Sequence, residues 1–338
     1  MTGRFKSIAG FSQILSELPE MDADAYDAAV ARDATLTKPP GALGRLENLA
    51  LWYCGWRGNA QAQVNAPQVI VFAGNHGVTD QGVSAFPSDV TAQMVNNFEN
   101  GGAAINQISD SVGASLTVKA LQLETPTQDI SLGPAMTQDD VTAALLAGWD
   151  AVDPEADLVV VGEMGIGNTT SAAAIALALY GGTSADWTGA GTGVVGAELI
   201  HKADIVARAV ATNPSAQSGG LEALRCLGGR EIAAMAGAMI RARSLCIPVI
   251  LDGFICTAAA ACLHHAQPGA LDHTVAGHVS AETAHATLLE QLKKPPLLSL
   301  SMRLGEASGA TLAIAILKAA LACHSGMANF SEAGVTEA

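Results

Sequence analysis

Basic and aromatic residues are scarce in this chain of 338 residues. Lys and Arg number 17 against 32 Asp and Glu, which gives a formal net charge of −15, and aromatic residues make up 4% of the sequence. So acidic a chain repels the phosphates of nucleic acids and anionic membranes, and neither is expected as a partner. An anionic substrate would have to be bound locally, by backbone amides and a few selected cations.

Paired cysteines, a membrane span and a leader peptide are also missing. The six cysteines are scattered and contain no CxxC pair, which is typical of reduced thiols in a cytoplasmic protein. No run reaches about 18 apolar residues, and residues 1–15 lack the apolar core of a signal peptide. We therefore expect a soluble, cytoplasmic protein. No cluster has metal-ligand spacing, so neither a metal nor another cofactor is predicted.

The most informative segment present is LVVVGEMGIGNTT, residues 158–170. Residues 158–161 predict a buried parallel strand, and after a glycine turn Asn168 opens an alanine-rich helix. A glycine turn before a helix N-terminus directs backbone N–H groups at a phosphate. No Lys precedes Thr169, so this is not a nucleoside-triphosphate loop. Because Glu163 adds a carboxylate directly after the strand, we expect a monophosphate with a reacting group nearby.

Short β-branched strands alternate with helices from residue 69 onward. The predicted strands are 69–74, 115–121, 158–161, 247–253 and 297–300. This alternation predicts an α/β protein with a Rossmann-like parallel sheet covered by helices on both faces. Residues 1–66 and roughly 306–338 are expected to form a smaller helical domain beside a large α/β domain at 67–305.

Two finer predictions concern the helices. Ser88 is expected to cap a helix over 88–98. The acidic stretch from Asp139 to Asp157 is expected to be a solvated surface helix and loop.

Polar residues follow several of the predicted strands. They occur in GNHG (74–77), in 163–170, at Asp252-Gly253 and in RLGE (303–306), with a further glycine-rich element at 189–202. Each has an ordinary structural explanation: a turn glycine, a structural histidine, a solvated lysine, or a glutamate that complements a helix dipole. Because ligands bind at the carboxyl ends of parallel strands, their convergence on one edge of the sheet predicts a site there.

Characteristic motifs run in a fixed order from about residue 35 to the C-terminus. The most specific are GEMGIGNTT (162–170) and RLGEASGA (303–310), accompanied by FAGNHGV (72–78), GAGTG (189–193) and HVSAE (278–282). By these motifs the chain resembles the nicotinate-nucleotide:dimethylbenzimidazole phosphoribosyltransferase family of cobalamin nucleotide-loop assembly. The resemblance implies a homodimer that acts on two small molecules, nicotinate mononucleotide and 5,6-dimethylbenzimidazole. It implies transfer of the phosphoribosyl group with inversion, giving α-ribazole 5′-phosphate and nicotinate.

The resemblance also implies roles for individual residues. Glu306 would be the general base for the benzimidazole N–H, and Glu163 a second carboxylate close to the reacting atoms. The residues that bind the nucleotide and its phosphate would be Gly165, Gly167, Asn168, Thr169, Thr170, Gly191, Gly193, Lys202, Asp252, Gly253 and Ser280. The benzimidazole pocket would include Phe86, Gln93 and Leu304.

The chain departs from the family's usual pattern at Asn75, at Val279 and in the stretch 194–202. Two alternatives remain open: the same chemistry on another acceptor, such as adenine or a phenol, and a catalytically silent nucleotide-binding protein. The presence of both Glu163 and Glu306 argues against the silent protein. A dinucleotide-dependent dehydrogenase is disfavoured, because the first strand leads into AGNHG and not into GxGxxG.

Overall fold

The computed structural model describes residues 4–336 and is built around a six-stranded β-sheet. The strands are β1 Pro67–Ala73, β2 Ser115–Ala120, β3 Leu158–Met164, β4 Val249–Leu251, β5 Thr274–His278 and β6 Pro296–Leu298. Their order is β2-β1-β3-β4-β5-β6, and every adjacent pair is parallel. The predicted parallel sheet is thereby confirmed. Strand β5 was not predicted, because its sequence TVAGH is short and has only two β-branched residues.

Within the described residues, helices fill the connections between the strands. The α-helices are α1 Ile8–Ser16, α2 Ala23–Asp33, α3 Arg45–Arg57, α4 Asp89–Glu99, α5 Ala104–Val112, α6 Gln138–Ala151, α7 Asn168–Tyr180, α8 Ser184–Trp187, α9 Ala197–Thr212, α10 Gly220–Leu227, α11 Arg230–Ser244, α12 Phe254–Ala266, α13 Thr283–Gln291, α14 Ser308–Gly326 and α15 Phe330–Ala333. Short 3₁₀ helices occupy Gly77–Gln81 and Pro214–Ser218.

Both faces of the sheet are buried at its central strands β1, β3 and β4, whose successive side chains point to opposite sides and enter two separate cores. Ile70, Val159 and Leu251 belong to a core with α6, α7, α10, α11 and α12. Val71 and Val160 belong to a second core with α3, α5 and α14. The central stretches 69–73, 158–161 and 249–251 are therefore apolar without interruption, as in sheets covered on both sides.

The strand order reverses its direction between β1 and β3, since the chain goes first to β2 and then returns past β1. At such a switch point the connections leave the carboxyl ends of the two strands in opposite directions, and a crevice opens there. Gly74, just past β1, donates its N–H to the carbonyl of Met164 at the end of β3, at 3.0 Å. The crevice therefore begins where the glycine turn after β3 begins.

The two terminal segments pack against each other and onto one face of the sheet. Helix α3 packs on α14, and the Arg32 guanidinium donates to the carbonyls of His324 (2.9 Å) and Ser325 (2.7 Å). Helix α14 has the length and apolar composition of a membrane span, but it lies on β3, β4, β5 and β6 as a core helix. The domain division into 1–66 plus 306–338 and 67–305 stays a prediction.

Two local predictions need correction. Ser88 stands at the N-cap of α4 but has helical backbone angles, and its side chain accepts no capping hydrogen bond. The acidic stretch is not a solvated element throughout, because α6 buries Leu145 and Trp149 against α11. Asp157 is also buried, and its carboxylate accepts the N–H groups of Asn65 and Ala66 at 2.5 and 2.9 Å.

Candidate active site

A cavity of about 380 Å³ lies at the carboxyl ends of the strands. Its wall combines the turn after β3, helix α4, the start of α12 and the loops that follow β5 and β6. The predicted site residues that line it are Phe86, Glu163, Gly165, Asn168, Thr169, Gly191, Gly253, Ser280, Leu304 and Glu306. Those that do not line it are Gln93, Gly167, Thr170, Gly193, Lys202 and Asp252. Segments far apart in the chain thus meet at the edge of the sheet predicted from the sequence.

Glu306 is held in the cavity wall by an unusual backbone. Gly305, Glu306 and Ala307 are successive left-handed residues, with φ of +80°, +61° and +67°. A Cβ at Gly162 would lie 2.2 Å from the Ala307 nitrogen, so only glycine in β3 allows this loop to approach so closely. Glu306 is 5% exposed, and burial together with the charge of Asp252 raises its pKa to about 7. Its carboxylate can therefore accept a proton near neutral pH.

Glu163 lies inside β3, one residue before its end, and not after the strand as predicted from the sequence. The strand extends beyond its β-branched run because Glu163 and Met164 continue the ladder with β1. Its buried carboxylate accepts a hydrogen bond from the Asn168 side chain. Burial, then the charges of Glu231 and Asp252, raise the pKa of Glu163 well above its ordinary value. The pKa values of both site glutamates are thus raised, which is common where carboxyl groups exchange protons.

The end of β3, which carries Glu163, is in direct contact with the loop that carries Glu306. A Cβ at Gly305 would lie 2.3 Å from Glu163 Oε1, so the backbone beside Glu306 touches the other carboxylate. The two acidic groups therefore flank one small volume between β3 and the loop after β6.

The glycine loop, residues 163–168, adopts the predicted strand–turn–helix arrangement. Gly167 is the N-cap of α7 with φ +93°, and a Cβ there would meet the Thr79 side chain at 2.8 Å. The Ile166 N–H donates to Thr91 Oγ1 at 3.2 Å, which attaches the loop to α4. Thr170, in the first turn of α7, is fully buried. The loop thus brings Gly165, Asn168 and Thr169 to the cavity and turns Gly167 and Thr170 away from it.

Lys202 lies behind the cavity wall and is almost fully buried, so the alternative of a solvated lysine is wrong. Its ammonium donates to Thr169 Oγ1 at 2.8 Å and to the Gly189 carbonyl at 3.0 Å. A Cβ at Gly191, where φ is +52°, would lie 2.8 Å from Lys202 Nζ, so glycine is needed for this approach. Burial lowers the pKa of Lys202 to about 8. Lys202 thus acts on the cavity through Thr169, and Gly193 lies farther along the same loop.

Asp252 lies beneath the wall, where β4 ends. Its carboxylate accepts the Ala310 N–H at 2.9 Å and lies 3.4 Å from His278 Nε2. Burial alone would raise the pKa of Asp252, but the hydrogen bonds and charge supplied by its neighbours, led by His278, outweigh burial and lower it. A buried carboxylate that stays ionised next to Glu306 accounts for part of the raised pKa of Glu306.

One side of the cavity is apolar and open. Phe86 and Leu304 line it although they are 52% and 54% exposed, and Val90 and Met94 of α4 complete this side. Large apolar side chains left open in a cavity wall are typical of a site for an apolar ring. Gln93 precedes Met94, so the helical turn of about 100° per residue directs it elsewhere; it is exposed and outside the lining.

Sequence reasoning assigned no role to four polar residues of the wall, Thr192, His278, Glu282 and Arg303, although Arg303 belongs to the RLGE stretch expected at this edge of the sheet. Among residues 4–336, Arg303 is the one Lys or Arg that lines the cavity. Glu282 accepts the Gly191 N–H at 2.9 Å and thereby fixes the loop in front of Lys202. All four lie inside the motifs GAGTG, HVSAE and RLGEASGA, which were therefore the signal that could have identified them. No group of three or more His, Cys, Asp or Glu within the described residues is placed to hold a metal ion.

Comparison with known proteins adds independent evidence. A family model described as phosphoribosyltransferase matches residues 18–335. A protein of Ruegeria pomeroyi named nicotinate-nucleotide–dimethylbenzimidazole phosphoribosyltransferase is 65% identical over 330 residues, which is 98% of both chains. A protein of Jannaschia sp. with the same name is 62% identical and covers 97% of this chain and 98% of its own length.

The chain belongs to the nicotinate-nucleotide–dimethylbenzimidazole phosphoribosyltransferase family. A crystal structure of the Thermus thermophilus member superposes with a TM-score of 0.87 at 39% identity, covering 94% of this chain and 100% of that one. Family membership confirms the resemblance found in the motifs and, with it, an enzyme of the phosphoribosyltransferase class. The superposition also confirms the predicted α/β fold with its parallel sheet.

Proposed function

We propose that this protein transfers the phosphoribosyl group of nicotinate mononucleotide to 5,6-dimethylbenzimidazole, giving nicotinate and α-ribazole 5′-phosphate for cobalamin assembly. The observation that carries the proposal is the pair of buried glutamates, Glu163 and Glu306, between a glycine loop and an apolar pocket. One side of the cavity can hold a phosphate, the other an aromatic base, and the carboxylates lie between them. The names of the relatives supply the substrates.

The chemistry needs little acid assistance. Transfer at the anomeric carbon passes through an oxocarbenium-like transition state. Nicotinate leaves from a cationic pyridinium, so the ring becomes neutral as its bond to the sugar breaks. The acceptor benzimidazole attacks from the opposite face through one ring nitrogen, while its other ring nitrogen must lose a proton. Attack from the opposite face inverts the β-nucleotide to an α-product.

Glu306 is the base in this proposal. With a pKa of about 7 it is partly ionised at neutral pH, can accept the benzimidazole proton and can then release it to solvent. A positioned general base contributes on the order of 10²–10⁴-fold in rate. The Asn168 side chain donates a hydrogen bond to Glu163 and directs its carboxyl group toward the loop. In its ionised form Glu163 would stabilise the positive charge that develops on the ribose.

The phosphate is the anchor for the nucleotide. The N-terminus of α7 supplies the positive end of a helix dipole, although the Asn168 and Thr170 N–H groups there already bond the carbonyls of Gly165 (3.2 Å) and Gly167 (3.0 Å). Thr169, oriented by Lys202, and Arg303 would supply further donors. Because the rest of the wall carries Glu163, Glu282 and Glu306, a phosphate would otherwise meet mainly negative charge. Binding energy at the phosphate holds the ribose in line for attack.

The acceptor would lie against Phe86, Val90, Met94 and Leu304. Gln93 could reach the acceptor only after a rearrangement of α4 or of its own side chain, since it is outside the lining. The apolar wall also accommodates adenine or a phenol, which is the second candidate function. Competition between these acceptors and dimethylbenzimidazole separates the two.

The assembly and the compartment belong to the proposal as well. By family resemblance we propose a homodimer, which sedimentation or light scattering of the purified protein would test. All six cysteines are free thiols and four are buried, which fits a reducing cytoplasm.

The decisive experiment is turnover of the purified protein with nicotinate mononucleotide and dimethylbenzimidazole. Nicotinate release is followed by chromatography, and the anomeric configuration of the product by NMR. An α-linked product supports the reaction, its substrates and its stereochemistry together. Absence of nicotinate release with every azole, purine and phenol acceptor would contradict the proposal and leave a nucleotide-binding protein.

A further inference from the structure

A buried chain of three polar side chains lies directly under the glycine loop. His76 Nε2 is 2.5 Å from Glu231 Oε1, and His76 Nδ1 is 3.1 Å from Ser171 Oγ. All three residues are inaccessible to solvent. They come from three elements: the turn after β1, the first turn of α11 and the first turn of α7. The reaction proposed above uses none of them.

Burying this cluster costs folding free energy, which argues against a chance arrangement. Buried ionisable groups cost free energy unless they are paired. Within residues 4–336, Glu231 Oε2 has no hydrogen-bond partner. Two glycines make room for the pair: a Cβ at Gly74 would lie 2.5 Å from Glu231 Oε2, and one at Gly229 2.3 Å from His76 Cε1.

The pair lies against the loop at Gly165, and His76 also approaches Gly167, where a Cβ would lie 3.5 Å from His76 Cβ. A Cβ at Gly165 would lie 3.3 Å from Glu231 Oε1 and 3.4 Å from His76 Nε2, so the loop backbone rests on the bond between them. Gly165 is two residues from Glu163 and lines the cavity. Ser171, in α7 directly after the loop, forms a hydrogen bond with the other ring nitrogen of His76, Nδ1. The loop thus lies against the His76–Glu231 bond at Gly165, and the helix that follows it is bonded to the same histidine ring through Ser171.

We propose that Ser171, His76 and Glu231 form a positioning unit that holds the glycine loop in the shape that binds the nucleotide phosphate. None of the three touches substrate. The His76–Glu231 bond contributes more to the position of the loop than the bond to Ser171 does, because Gly165 lies against it. The inference rests on the proposed function only for the identity of the nucleotide. The acceptor wall at Phe86 and α4 lies outside the unit, so acceptor binding should be independent of it.

Two substitutions of His76 separate its two bonds. His76→Gln places an amide near the position of Nε2 and can keep the bond to Glu231. His76→Asn places an amide near Nδ1 and can keep only the bond to Ser171. We expect the KM for nicotinate mononucleotide to rise about tenfold in the Asn variant, as for one lost buried hydrogen bond, and less than about threefold in the Gln variant. The KM for the benzimidazole should stay unchanged in both.

His273→Asn is the matched control. His273 is equally buried and bonds the Met239 carbonyl at 2.9 Å, but it lies at the amino end of β5, away from the cavity. It should lower the melting temperature without changing either KM. If His76→Asn does not fold, Glu231→Gln replaces it, with an expected rise of at least about threefold in the KM for the nucleotide.

Unchanged nucleotide KM in the folded His76→Asn protein, or in Glu231→Gln where that variant is needed, would overturn the inference. An equal rise in His76→Asn and His273→Asn would also overturn it, since it would show a general loss of stability. Calorimetric titration with nicotinate mononucleotide runs in parallel. If the wild type binds the nucleotide but transfers nothing, the proposed function fails while the dissociation constants of the variants still test the positioning unit.

Discussion

Replacing Glu306 by Gln should abolish most activity and yet stabilise the protein at alkaline pH. The carboxylate is 5% exposed, and burial together with the charge of Asp252 raises its pKa from an ordinary 4.5 to about 7. Because the folded state then binds a proton more tightly than the unfolded chain, stability is lost as pH rises from about 4.5 to about 7. The full cost above pH 7 is about 3 kcal/mol, since one pKa unit corresponds to about 1.4 kcal/mol.

Glutamine has nearly the same shape and does not titrate. The free energy of unfolding of Glu306→Gln relative to wild type should therefore increase by about 2 kcal/mol between pH 5.5 and pH 8.5. Every other titrating residue is common to both proteins, so the difference reports Glu306 together with its coupling to Glu163, whose raised pKa is due in small part to the Glu306 charge. Urea denaturation followed by circular dichroism at the two pH values measures it.

Glu222→Gln is the control, since the hydrogen bond from Arg225 lowers the pKa of Glu222 to about 2. This variant should lose stability at both pH values, with little change between them, because Glu222 is already ionised at pH 5.5. A pH-independent difference between Glu306→Gln and wild type would refute the argument. It would mean that Glu306 titrates normally in the folded protein and is not poised as a base near neutrality.

Three further predictions concern the catalytic base, the binding of the nucleotide and the binding of the benzimidazole. The kcat/KM of the wild type should rise as pH increases through about 7, because Glu306 must be ionised to accept a proton. In steady-state assays Glu306→Gln should lower kcat on the order of 10²–10⁴-fold. A kcat/KM of the wild type that does not change with pH would exclude Glu306 as the base. Gly191→Ala should weaken nucleotide binding in calorimetry, because the new Cβ would lie 2.7 Å from Thr169 Oγ1. Gly181 also has a positive φ but has open space around it, so Gly181→Ala should leave nucleotide binding unchanged. Phe86→Ala should raise the KM for the benzimidazole several-fold, on the order of 1 kcal/mol of lost ring contact, and leave the KM for the nucleotide unchanged; an effect on the nucleotide alone would reverse the assignment of the two sides.

Much of the sheet was predictable because the sequence patterns that identify its strands are local. Residues 69–74 and 158–161 are continuous apolar runs in which β-branched residues prevail, and such runs form buried parallel strands in any covered sheet. Strand β5 gave no such signal, since it depends on pairing with β4 and β6 and not on its own composition. The capping role of Ser88 failed for a related reason: the conformation of a cap residue is set by the chain that enters the helix.

The sheet class, the glycine loop and, through GEMGIGNTT and RLGEASGA, the family and its two glutamates follow from the amino-acid sequence alone. These are local patterns, and their information lies in adjacent residues. The three-dimensional fold was needed to show that Lys202 lies behind Thr169, that Arg303 lines the cavity, and that His76 joins Ser171 to Glu231 under the loop. It also decided the pKa of Glu306, because burial and the charge of Asp252 arise only when β4 and the loop after β6 meet. Such long-range contacts leave no periodicity in a single sequence, so the chemistry of this site became visible only in the fold.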